Sequence, residues 1–119
     1  MITLSTLGQH SPKEVFEHVK SHLLAQNKKS MDRLSCKYHF KDLRCAAGCL
    51  IDKTEYMHRF ENRSWGDLIT KGLVPDYHGH LIYGLQNIHD AHYPEFWASE
   101  LDKLEARFRI EPGWDEAPK

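Results

Sequence analysis

Cys36, Cys45 and Cys49 place three thiols within fourteen residues. Thiols either ligate soft metal ions or, as thiolates, attack electrophiles. A metal reading adds a histidine from among His39, His58 and His89, and with His89 it gives a Cys3His zinc site made of Cys36, Cys45, Cys49 and His89. The spacings, eight residues between the first two cysteines and three between the last two, match none of the paired Cys-x-x-Cys knuckles of common zinc modules. Buried thiols acting as small hydrophobes are the favoured reading, so no cofactor is favoured. A nucleophilic reading takes Cys45 or Cys49 as the attacking thiolate and His89 as its base. Asp90 follows His89 directly, and adjacent side chains on a helix diverge by about 100°. Asp90 is therefore expected to orient that imidazole poorly, leaving Asp52, Asp67 or Asp76 to do so.

Gln86 and Asp90 are four apart, and His89 lies on nearly the same helix face, a polar cluster that reads as a helix end where imidazole meets the last carbonyls. The pairs His78 with His80 and His89 with His92 read as solvated. Nine histidines in all would make the molecule distinctly cationic near about pH 6 if several charged together. Lys28, Lys29, Arg33, Lys37, Lys41 and Arg44 form a diffuse basic run, interleaved with Tyr38 and Phe40 and offset by Asp32 and Asp42. It reads as a solvated surface rather than a phosphate track. Trp97 falls on an apolar helical stripe, whereas Trp65 and Trp114 fall outside one and are the candidates for partner contact.

These residues must be positioned by helices. Ser11-Pro12-Lys13-Glu14 combines an N-cap serine, a proline in the first turn and a glutamate that can reach back to the cap. With Val15, Val19 and Leu23 on one stripe, the pattern predicts a helix over 12–26. Cys36, Tyr38 and Phe40 alternate with polar residues as in a half-buried strand. Arg44–Ile51 reads as either a short buried helix or a strand. Ser64-Trp65-Gly66-Asp67 opens a short helix that Gly72 closes. Leu81, Ile82, Leu85 and Ile88 trace a helix ending near Ala91, and a last helix opens at Pro94 with Trp97, Leu101, Leu104 and Phe108 inward. The expected fold is mainly α, a compact single domain over 1–110 with four or five helices and a small β-hairpin near 36–51. Residues 111–119 are expected to form a frayed tail.

A chain of 119 residues with 16 basic and 17 acidic side chains carries a formal net charge of −1. Such a balance supplies no global field toward nucleic acid or anionic membranes. No stretch approaches the roughly 18 apolar residues of a membrane span, and the first residues lack a secretory pattern. An odd cysteine count speaks against a disulfide framework. A cytoplasmic location is expected.

The motif order Cys36-Lys37-Tyr38, Arg44-Cys45-Ala46-Ala47-Gly48-Cys49-Leu50-Ile51-Asp52, Glu55-Tyr56 and Leu85-Gln86-Asn87-Ile88-His89-Asp90 resembles small bacteriophage and prophage proteins. Those proteins carry a Cys-Ala-x-Gly-Cys-Leu-Ile core and a downstream Leu-Gln-x-Ile-His-Asp. The resemblance runs from about residue 12 to residue 110 and makes Cys36, Tyr38, Cys45, Gly48, Cys49, Gln86, His89 and Asp90 its motif residues. After Tyr38 the chain departs from that pattern, with His39-Phe40-Lys41-Asp42-Leu43 in place of an arginine and a glycine-containing turn. The resemblance implies a phage setting and, by analogy with proteins of this size, binding to a host bacterial protein, such as a defence factor, to modulate or inhibit it. The rival reading from another class is the thiol-dependent enzyme using Cys45 or Cys49 with His89. A zinc-stabilised domain is the third.

Overall fold

The Ser11 hydroxyl accepts the Glu14 amide at 3.1 Å while the Glu14 carboxylate accepts the Ser11 amide at 2.9 Å, the reciprocal cap that its sequence predicts. From it runs α1, Pro12–Gln26, with Val15, Phe16, Val19 and Leu23 buried along one face. The computed structural model describes residues 1–118. Among them are four α-helices, four short 3-10 turns and one two-stranded sheet, a mainly α fold with a small hairpin.

The strands are β1, His39–Phe40, and β2, Leu43–Arg44, antiparallel with His39 opposite Arg44 and Phe40 opposite Leu43. Arg44–Ile51 is neither a single helix nor a single strand. Its first residue ends β2, and Gly48–Leu50 make a 3-10 turn, with the Gly48 backbone pressed against the Tyr38 carbonyl. Next come α2, Trp65–Thr70, α3, Gly79–Ala91, and α4, Trp97–Phe108. Pro94–Phe96 form a separate 3-10 turn before α4 instead of its first residues.

The core is the meeting of α1 with α3 and α4. Leu81, Ile82, Leu85 and Ile88 of α3 and Trp97, Leu101 and Leu104 of α4 are buried against the α1 face. Burial of each large apolar side chain contributes about 1.5–3 kcal/mol. Gly84 permits the close crossing, for a Cβ there would lie 2.9 Å from Leu104 Cδ1.

Two features were not foreseen. Leu4–Gln9 form a 3-10 turn with Leu4 and Leu7 buried, and its free amides at Leu4 and Ser5 are each taken by the Glu55 carboxylate at 2.9 Å. At the other end the expected tail, of which residue 119 lies outside the described residues, does not stand clear at Trp114. The Trp114 ring packs on Phe16 at 5.9 Å between centroids, and its carbonyl accepts the Lys13 amide at 3.0 Å. An aromatic ring this large is more stable against the core than in water, whatever the prolines around it.

Candidate functional site

The end of α3 carries the polar cluster. His89 is fully buried, its ring stacked on Trp97 at 5.5 Å. The Ser30 amide donates to His89 Nε2 at 2.9 Å, so the ring proton sits on Nδ1, which lies 2.7 Å from Asp90 Oδ1. The adjacent carboxylate does orient the imidazole, against the expectation from helical divergence. Asp90 is the only acidic residue of α3, one position before its end. The Gln86 side-chain amide donates to the same Asp90 oxygen at 2.8 Å, and the Cys36 thiol completes the set of donors around that carboxylate. Gln86 also accepts the Ala47 amide at 2.8 Å, tying the cysteine segment to α3. The cluster thus holds three chain segments together through shared hydrogen bonds to Gln86, His89 and Asp90.

Cys45 is fully buried, with its sulfur accepting the Gly48 amide at 3.2 Å, and Cys49 donates its thiol to the Ala46 carbonyl at 3.1 Å. Burial pushes the Cys45 thiol well up and the Cys49 thiol up to about 12. Neither nitrogen of His89 is free to act on them, since both already hold hydrogen bonds. The nucleophile and base of the thiol-enzyme reading are therefore not brought together. Cys36 is half-buried, and burial first and Asp90 second push its thiol up to about 11. Within the described residues, the ligand atoms of Cys36, His89 and Asp90 all lie within 4.8 Å of one another, a group that could hold a metal ion. Cys45 and Cys49 are not in that group, so the Cys3His set is replaced by one with a carboxylate that the cysteine count could not suggest.

Cys36 and Asp90 line a cavity of about 430 Å³ whose other walls include Tyr38, Trp65, Tyr83 and Asn87. Glu61, also on its wall, is spent internally, accepting the Tyr38 amide at 2.9 Å, the His39 amide at 3.2 Å and the Tyr56 hydroxyl at 2.6 Å. His39 stacks on Tyr56 at 4.3 Å and its Nε2 donates to the Gly48 carbonyl at 2.9 Å. Gly48 is required there, because a Cβ would fall 2.0 Å from the Tyr38 carbonyl oxygen.

The tryptophan expectation is corrected. Trp65 is 2% exposed, edge-on to Tyr38, so it builds the cavity wall from within and offers no surface to a partner. Trp114 is half-buried on Phe16. The exposed aromatic residues are Tyr83 on α3, 67% exposed, with Tyr93 and Phe96 beyond its end, and of these Tyr83 lines the cavity. The signal of Tyr83 in the sequence is its place on α3 outside the Leu81, Ile82, Leu85 and Ile88 stripe. No family model, curated protein or solved structure matches the chain. Among the described residues no helix is long and apolar enough to cross a membrane.

Proposed function

We propose that this chain is a binding protein of phage or prophage origin that modulates or inhibits a host bacterial protein in the cytoplasm, with the α3 face around Tyr83 as its contact surface. The observation that carries the reading is that Tyr83 stands where three surface recesses meet. One is the cavity beside Cys36 and Asp90, one lies toward Ile69 and Gly79, and one lies toward Lys103 and Arg107. An exposed aromatic ring flanked by recesses is the arrangement that supplies interface anchors, since it buries a large area at little entropic cost. The motif order supports the phage setting. The occupied nitrogens of His89 and the buried Cys45 support binding over thiol chemistry, and binding of this kind calls on no cofactor.

Tagged protein and its Tyr83→Ala variant, cross-linked in bacterial lysate and read by mass spectrometry, test the reading. Wild type is expected to hold one host protein in near-stoichiometric amount and the variant to hold at least about tenfold less, the loss of an anchor worth about 1.4 kcal/mol or more. Equal retention by both, or none by wild type, refutes it.

A further inference from the structure

We propose that Cys36, His89 and Asp90 form a zinc site whose fourth coordination position faces the adjacent cavity. The donor set is one thiolate, one imidazole and one carboxylate, each a zinc ligand, and their ligand atoms already lie within 4.8 Å of one another. Bond lengths of about 2.0–2.3 Å to these atoms require ligand separations of roughly 3.3–3.6 Å in a tetrahedron. The cluster is thus within small side-chain rotations of that geometry. Thiolate and carboxylate together neutralise the dication, which suits a half-buried position.

Among the described residues, hydrogen bonding alone leaves two buried polar atoms here without a partner, the Ser30 hydroxyl in the cluster and the Trp65 indole nitrogen on the cavity wall. Ser30 is fully buried and its hydroxyl oxygen has no partner among the described residues, although its own amide holds His89 Nε2 at 2.9 Å. An orphaned buried hydroxyl costs about 1–3 kcal/mol. Metal on Nδ1 moves the ring proton to Nε2, where the Ser30 amide can no longer donate and an acceptor is needed. In the metal-bound form we assign that role to the Ser30 hydroxyl, the Ser30 amide giving up its present acceptor in exchange. A thiol is also a weaker donor than the hydroxyl that serine would put at position 36, so a purely hydrogen-bonded cluster has no need of cysteine there. The exchange balances simply. The Cys36 proton leaves to solvent, the imidazole proton passes from Nδ1 to Nε2, and three protein bonds form to the metal. Cys36 and Asp90 both line the cavity, so the remaining position opens toward Tyr83 and Asn87, an arrangement that lets zinc keep an exchangeable ligand.

The test uses the full chain, reduced and treated with chelator, then dialysed against Zn²⁺ or Co²⁺. One zinc per chain by elemental analysis is expected, together with a thiolate-to-cobalt charge-transfer band. Cys36→Ser should abolish the band and Asp90→Asn should lower affinity at least about tenfold. Ser30→Ala should lower affinity about tenfold, the size of outer-sphere effects on metal sites, while Cys45→Ala leaves stoichiometry unchanged. Circular dichroism of each apo variant reports whether it is folded. Should Cys36→Ser not fold, methyl methanethiosulfonate capping of Cys36 in the wild type gives the same readout. Substoichiometric zinc in wild type, or a cobalt band that survives loss of Cys36, overturns the proposal whatever the lysate experiment gives.

Discussion

Replacing Gly48 with alanine tests the packing on which the cysteine segment depends. The added Cβ would lie 2.0 Å from the Tyr38 carbonyl oxygen, where ordinary contact begins at 3.4 Å, a shortfall of about 1.4 Å that only backbone movement can relieve. That movement separates β1 from the 3-10 turn, and with it the Cys45 amide bond to the Tyr38 carbonyl at 3.2 Å and the His39 bond to the Gly48 carbonyl at 2.9 Å. Overpacking of this kind costs about 1–3 kcal/mol, and each lost hydrogen bond about 1 kcal/mol. The expected loss is therefore about 3–5 kcal/mol, a large part of the stability of an ordinary domain. At roughly 4 °C per kcal/mol the melting temperature should fall by roughly 12–20 °C. Urea unfolding at constant slope is the assay. Gly66→Ala in α2 is the control, because a Cβ there meets only Ser64 Oγ at 4.0 Å, and it should stabilise by about 0.5–1 kcal/mol. A loss below about 1 kcal/mol for Gly48→Ala would show that the segment does not press on β1.

Two further outcomes follow from the buried titratable groups. With Cys36 held up to about 11, Cys49 up to about 12 and Cys45 higher than its ordinary range, native metal-free protein at about pH 8 should alkylate far more slowly than free cysteine. Cys36 should react first and all three should react in guanidinium. A native thiol reacting at the free-cysteine rate would contradict the structure. The second concerns His22, His39 and His78, each lowered from an ordinary value of 6.5 chiefly by burial. As pH falls through about 6.5 the unfolded chain takes up protons before the folded one, so stability is lost from there downward and is full above it. Denaturation midpoints measured between about pH 8 and 5 should decline. A midpoint that rises on acidification would refute the burial of these rings.

The helices were legible where their instructions are local. Ser11, Pro12, Glu14 and the Val15, Val19, Leu23 stripe lie within one segment, and α1 runs over the residues they imply. The first turn, Leu4–Gln9, has a local cap in Thr3 and Thr6, but the Glu55 carboxylate that takes its Leu4 and Ser5 amides is connected to it by no short-range pattern. The candidate site divides the same way. Gln86, His89 and Asp90 announced themselves by spacing, but their joining to Cys36 and Ser30 depends on a loop folding across the end of α3. The exposure of Trp65 was misread because its burial is decided by Tyr38, nearly thirty residues earlier.

Trp114 gives the chain an order of assembly. Its carbonyl receives Lys13 and its ring covers Phe16. During synthesis from the N-terminus, then, the first helix must wait for Trp114 to be made before this contact can form. Until it arrives, Phe16 lacks the ring that covers it, and the nascent chain presents there an apolar surface of the kind that chaperones and proteases bind. The contact therefore ties the start of α1 to a segment about a hundred residues later, so the brace forms only after α4 has been made.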